Sequence, residues 1–231
     1  MRKSEYNFAE GEVLLLDKPY HWTSFDVVNK LRGGLKMKKI GHAGTLDPLA
    51  TGLLIICTGK MTRQIDHFQG WEKEYTGTFI LGKTTPSYDL ETEFDSESPY
   101  AHITEEAVKE AAKGLTGPLS QIPPAHSAIK VGGQRAYKKA RAGKEIIMEP
   151  RAVEVHTFEI TAFSPPEVHF RIVCSKGTYI RSLARDLGEQ LGTGAYLAAL
   201  RRTRIGEKHV DDAIDPLVLM EHIKALANEN I

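Results

Sequence analysis

The 231-residue chain carries no net charge, with 30 Lys and Arg against 30 Asp and Glu. That balance argues against a protein that coats nucleic acid indiscriminately. It leaves room for RNA binding where the positive charge is gathered in one place. Cysteine is scarce: Cys57 and Cys174 stand in apolar stretches and form no CxxC pair. Buried thiols in a reducing compartment follow, rather than a disulfide framework. The nine histidines show neither HxxxH nor Cys/His spacing, so nothing implies a metal or an organic cofactor. No apolar run approaches the roughly 18 residues of a membrane span, and the first ten residues lack an apolar h-region. The expected place is the cytoplasm. Low-complexity tracts and internal repeats are missing too.

What is present is segregated charge. Lys30 to Ile40 holds five basic residues and no acid, and Lys130 to Lys144 holds six and no acid. Acids gather instead from Asp89 to Glu97. One such run is as readily a solvated face as a binding site; two favour a basic surface.

Local patterns outline the elements. Val13–Leu16 reads as a short buried strand. Thr23 and Asp26 form a capping box, with Phe25, Val28 and Leu31 as the apolar face of a helix ending at Gly33–Gly34. Leu53–Cys57 reads as a central strand and Glu74–Leu81 as another. Thr104 caps a helix with an Ile103/Val108 staple, ending at Gly114. Gln121 to Lys144 reads as a long, exposed, partly mobile loop, and loops of that length are usually functional. Val168, Phe170, Ile172 and Cys174 share one face of a strand. After a tight turn at Lys176–Gly177, residues Ile180, Leu183, Ala184, Leu187 and Leu191 recur at helical spacing. Tyr179 and Arg181 therefore stand at the first turn of a helix that follows a strand. Strands and helices alternate without a steady βαβ rhythm, which points to α+β with a mixed sheet.

Between a basic run and a hydrophobic strand lies Gly41-His-Ala-Gly-Thr-Leu-Asp-Pro-Leu-Ala-Thr-Gly52. Alone, Leu-Asp-Pro is an ordinary turn with Asp47 capping amides. Glycines on both sides, however, allow close backbone approach to a ligand, and a carboxylate there can serve as nucleophile or general base.

This segment resembles the active-site motif of the TruB family of tRNA pseudouridine synthases. Other motifs agree in order and spacing from about residue 11 to about residue 206: Leu16-Asp-Lys-Pro19, Lys73-Glu-Tyr75, Gln121-Ile-Pro-Pro-Ala-His-Ser-Ala-Ile-Lys130, Cys174-Ser-Lys-Gly-Thr-Tyr-Ile-Arg181 and Leu200-Arg-Arg-Thr203. The resemblance implies a pseudouridine-synthase-like α+β fold: a mixed, mostly antiparallel β-sheet flanked by helices, with an RNA-gripping insertion at about 121–150. It implies that Asp47 is the catalytic aspartate, Tyr75 the aromatic stacked on the target base, and Arg181 the arginine paired with the carboxylate. Asp89 matches an acid of that ionic network. Tyr179 and Leu200 match pocket-lining positions, His42 the histidine beside the extruded nucleotide, and Lys130 the entry to the insertion. Lys18 and Pro19 match the motif that buttresses the active-site loop. The substrate implied is tRNA, at the T-stem-loop uridine commonly numbered 55, and no cofactor or metal is implied.

The chemistry suits those residue types. The N1–C1′ bond must break and C5 must bond to C1′, and neither atom is reachable in a stacked base. Extrusion costs a few kcal/mol, and an aromatic partner returns roughly 1–3 kcal/mol. Arginine supplies a planar fork that holds a carboxylate charged and oriented. The chain is expected to be a monomer with one catalytic domain over residues 1–231. Only a short extension follows, at about 207–231, where many bacterial relatives carry a separate C-terminal RNA-binding domain. Two other readings compete. One is an RNA-binding module with vestigial catalytic residues, which would not need the Asp47, Tyr75 and Arg181 set. The other is a glycoside or nucleoside hydrolase, which needs two acids at a defined separation; only Asp47 has a distinctive setting.

Overall fold

A computed structural model of the chain describes residues 6–143 and 146–228. Lys144, the last cation of the second basic run, lies outside the described residues, as do residues 229–231 of the C-terminal extension. The chain forms two compact units, one made of residues up to Tyr75 with those from Arg201 onward, the other of Thr76–Leu200.

The first unit opens with β1 (Val13–Lys18), α1 (Ser24–Leu35), β2 (Ile40–His42) and β3 (Ala50–Thr58). A 3-10 segment and α2 (Ile65–Gly70) lead into β4 (Lys73–Leu81), whose first three residues belong to this unit. β1 runs antiparallel to β3, with Val13 opposite Cys57 and Lys18 opposite Gly52. β2 folds back on β3, with His42 opposite Ile56. The unbroken apolar run in β3 has a direct cause: both of its faces are covered. Leu54 and Ile56 pack with Leu14, Leu16, Val27, Val28 and Leu31. Leu53, Ile55 and Cys57 pack with Ala43, Phe68 and Ile205. Full burial of each such aliphatic side chain is worth about 1.5–3 kcal/mol.

Helix α1 begins as its sequence predicts. The Thr23 side chain accepts from Asp26 N at 3.0 Å, and Asp26 accepts from Thr23 N at 2.8 Å. Its end and its face differ from the prediction. The helix continues through Gly33–Gly34 to Leu35 and is capped by Lys36 in the left-handed region at φ 51°. Gly34 packs under the flexible end of Met220, whose Cε would lie 1.7 Å from a Cβ there. Phe25 is 55% exposed, and Val27 takes its place on the buried face.

The second unit continues with the rest of β4, then β5 (Lys83–Thr84) paired with β6 (Ser96–Glu97), α3 (Glu105–Gly114) and β7 (Gly117–Gln121). β8 (Lys130–Val131) pairs with β9 (Gln134–Arg135), and α4 (Ala136–Arg141) follows. β10 (Arg151–Ser164), β11 (Glu167–Cys174), α5 (Ile180–Gln190) and the start of β12 (Ala195–Ile205) complete it. β10 lies antiparallel to both β11 and β7. Within this unit the strand order is β12-β4-β11-β10-β7. Val168, Phe170, Ile172 and Cys174 are all buried, as their alternation predicts. The long loop expected at 121–144 is instead largely built. Gln121, Pro123, Pro124, Ser127 and Ala136 are buried, and a hairpin and the short α4 occupy 130–141. Backbone bonds across the hairpin order it, Ala136 N to Ile129 O at 2.7 Å and Tyr137 N to Ser127 O at 3.0 Å.

The chain returns to the first unit with the end of β12, β13 (Lys208–His209) and α6 (Pro216–Asn228), whose Leu219 and Met220 join the core beside α1. There the strand order is β1-β3-β12-β4. The architecture is α+β, a mixed and mostly antiparallel sheet with helices, as expected. Among the described residues no helix is long and apolar enough to cross a membrane.

Candidate active site

The segment Gly41–Gly52 leaves β2 and enters β3, and side chains from three other places grip its main chain. Lys18, at the end of β1, is fully buried. Its Nζ donates to Trp22 O at 2.5 Å, Pro19 O at 3.0 Å and Pro48 O at 3.4 Å. Burial lowers its pKa from 10.5 to about 8; the nearby Asp47 carboxylate opposes that shift and the Arg202 cation adds to it. Ser24, buried at the start of α1, accepts from Leu46 N at 2.8 Å and donates to Leu46 O at 3.2 Å. Arg202, on β12 and 1% exposed, donates through Nε to Leu53 O at 2.7 Å. Its Nη2 reaches Gly44 O at 3.2 Å and its Nη1 reaches Thr45 O at 3.4 Å. The backbone of Arg202 passes so close to Gly52, at φ 103°, that a Cβ there would lie 2.3 Å from Arg202 O. Only glycine fits such an approach.

Asp47 is half-buried on this strapped loop, and its carbonyl accepts from Ala50 N at 3.1 Å. The turn that Leu-Asp-Pro suggests is therefore real, and the carboxylate projects from a main chain fixed on both sides. His42, half-buried at the end of β2, has its pKa lowered by burial and by the Arg202 cation, against a backbone hydrogen bond at Gly44 that raises it. Tyr75, third in β4, is 8% exposed. Pro19 contributes its carbonyl to Lys18.

In the second unit Arg181 is the organising residue. It is 2% exposed at the first turn of α5. Nη1 donates to Ser87 O at 3.2 Å and Nη2 to His126 O at 3.0 Å, while Nε lies 3.5 Å from Asp89 Oδ2. Asp89 is buried and accepts from Glu91 N at 2.9 Å. Thr85 and Ser87 hydroxyls donate to its carbonyl at 2.7 and 3.2 Å. Gln121 fixes Tyr179 through its backbone: Oε1 accepts from Tyr179 N at 2.8 Å, and Nε2 donates to Tyr179 O at 3.1 Å. Lys130 is exposed on the β8–β9 hairpin, and Leu200 is half-buried on β12.

One unit thus gathers Asp47 with Lys18 and Pro19, and the other gathers Arg181 with Asp89. Arg202, Ser24 and Gln121 lie inside the recognised motifs or next to them, yet no local pattern marks them as supports. Each acts on backbone that only the folded register brings near. Among the described residues, no group of His, Cys, Asp and Glu is disposed to hold a metal ion.

The fold is shared with chains of known structure. A chain of the Cbf5–Nop10–Gar1 complex superposes with a TM-score of 0.74 at 28% identity, covering 97% of this chain and 57% of that one. A chain of the archaeal box H/ACA sRNP Nop10–Cbf5 complex gives 0.71 at 27% identity. By sequence, residues 32–180 match the profile of the TruB family pseudouridylate synthase N-terminal domain. Residues 181–230 match the tRNA pseudouridylate synthase B C-terminal domain. The tRNA pseudouridine synthase B of Flavobacterium johnsoniae is 54% identical over 224 residues, covering 94% of this chain and 98% of that protein. The Bacteroides fragilis protein of the same name is 51% identical, with 94% and 96% covered. This chain belongs to the TruB family of pseudouridylate synthases. It is an RNA pseudouridine synthase, an isomerase. The boundary between the two matched profiles falls at Arg181, inside the second compact unit, so sequence families and compact units divide the chain differently.

Proposed function

We propose that this enzyme isomerises a uridine of tRNA, in the T-stem-loop at the position numbered 55, with Asp47 acting on an extruded base. The observation that carries this is the Asp47 loop itself. Its carboxylate stands on a main chain gripped at Gly44, Thr45, Leu46 and Pro48 by Arg202, Ser24 and Lys18. Such preorganisation is what a nucleophile or base requires, because positional error of about 1 Å costs on the order of a hundredfold in rate.

The reaction conserves atoms and redox level. The N1–C1′ bond breaks, C5 bonds to C1′, and the C5 proton leaves as N1 gains one. Asp47 attacks C1′ or removes a proton on the way to a glycal. Tyr75 stacks on the base and takes part in proton transfer. Arg181 keeps the carboxylate charged, with Asp89 in the same ionic network. His42, Tyr179 and Leu200 line the pocket, and Lys130 opens the basic insertion that holds the RNA. No redox step calls for a cofactor or a metal, and the chain acts as a monomer in the cytoplasm. The tRNA assignment is supported by the names of relatives that align over nearly their whole length.

The test uses unmodified tRNA transcript with wild type and Asp47→Asn, mapping pseudouridine by chemical derivatisation and sequencing. Product at one T-loop uridine with wild type alone supports the reading. Product from both proteins removes Asp47 from the mechanism, and product elsewhere removes the site assignment.

A further inference from the structure

The turn between β1 and α1 holds two rings that the roles above leave idle. Tyr20 and His21 are both exposed, Tyr20 at 46%. Their ring centroids lie 4.1 Å apart with a 56° tilt. His21 adopts φ 66°, in the left-handed region that residues with a Cβ enter uncommonly. Glycine would form the same turn without strain. Burial does not account for this pair, and a non-glycine residue held in the left-handed region is a reason to look for function.

The turn is also firmly held. Lys18 Nζ donates to the carbonyls on either side of the pair, Pro19 and Trp22, and the same ammonium reaches Pro48, next to Asp47. One buried cation therefore fixes both the ring pair and the Asp47 loop. Exposed aromatic faces on rigid support stack on unpaired bases whatever their identity, and single-stranded RNA is commonly read by such stacking. We infer that Tyr20 and His21 form a stacking platform for an unpaired nucleotide of the RNA substrate, beside the one that is isomerised. The inference rests on the reading of Asp47 as the reaction site and of tRNA as the substrate.

The experiment compares wild type, Tyr20→Ala, Tyr20→Phe and His21→Gly on unmodified tRNA. It measures KM and kcat for pseudouridine formation, tRNA affinity at several salt concentrations, and melting temperature. A stacked base is worth about five- to a hundredfold in affinity. Tyr20→Ala is therefore expected to raise KM and Kd about tenfold with kcat little changed, and Tyr20→Phe to restore both. His21→Gly is expected to raise KM while its melting temperature holds or rises, because strain is removed as the ring is lost. The salt slope of binding stays unchanged in all three, since no phosphate contact is lost. Affinity and KM within about twofold of wild type for Tyr20→Ala and His21→Gly would overturn the platform. So would a Tyr20→Ala defect matched by an equal one in Tyr20→Phe. Affinity is read without turnover, so an inactive wild type would defeat the functional reading and leave the platform to be judged by binding alone.

Discussion

Replacing Arg202 by Met separates holding the fold from holding the loop. Arg202 is 1% exposed, and its guanidinium spans three carbonyls, at Leu53 (2.7 Å), Gly44 (3.2 Å) and Thr45 (3.4 Å). Methionine keeps most of the volume and removes every donor. A hydrogen bond from a charged group contributes about 1.5–3 kcal/mol, and a buried acceptor left unpaired costs about 1–3 kcal/mol. The short bond to Leu53 carries most of this and the two longer ones less, giving a loss of about 3 kcal/mol. A domain of this size has about 5–15 kcal/mol to lose, so the variant folds. What it loses is the tether on Gly44 and Thr45, three and two residues before Asp47. A shift of about 1 Å there costs on the order of a hundredfold in kcat. RNA contacts made elsewhere leave KM nearly unchanged. Urea unfolding gives the stability loss, and single-turnover kinetics on tRNA give the rate. Arg202→Lys recovers the charge but cannot reach three carbonyls with one ammonium, so it is expected to recover stability better than rate. A folded Arg202→Met enzyme with wild-type kcat would refute the claim that this guanidinium positions the loop.

Other outcomes follow from the same geometry. Lys18 has a folded pKa of about 8 against 10.5 when unfolded, so between those values the unfolded chain holds the extra proton. Its contribution to stability therefore rises with pH across that window, by at most about 3 kcal/mol. Urea midpoints at pH 7.5 and 9.5 should show a rise in wild type relative to Lys18→Met, and parallel behaviour would contradict it. For RNA grip the informative pair is Lys130 and Lys138, both exposed. Lys139 is occupied, donating to Val131 O at 2.8 Å within the hairpin, so altering it would disturb the insertion's fold. Lys130→Glu with Lys138→Glu should weaken tRNA binding and flatten the salt slope by nearly 2; an unchanged affinity and slope would place the RNA elsewhere.

The elements most legible in the sequence were those whose causes are local. The Thr23–Asp26 capping box fixes the start of α1 within four residues, and the alternation in β11 needs only its own side chains. The end of α1 is not legible locally, because Gly33–Gly34 looks like a terminator while the helix continues to Leu35. Gly34 packs instead against the end of the Met220 side chain, which only the fold brings near. The insertion reads as an open loop because its order comes from bonds to main-chain groups, from backbone donors and from side chains such as Lys139, which leave no periodic pattern in the sequence. The family motif singles out Asp47 as a candidate, where a local reading gives only a turn. Arg202 is not legible, because an arginine in an Arg-Arg pair on a strand reads as surface until the register shows which of the two points inward. Arg201 takes the outer role, pairing with Asp17 at 2.7 Å.

The straps on the Asp47 loop share one property. Lys18, Ser24 and Arg202 all take hold of its main chain, at Pro48, Leu46, Thr45 and Gly44. These tethers do not depend on which side chains the loop carries. At Thr45, exposed and two positions from the carboxylate, the chain can be altered or carry a reporter group without loosening the hold on Asp47. The loop's outer side chains are thereby open to adjustment while its main chain stays in register.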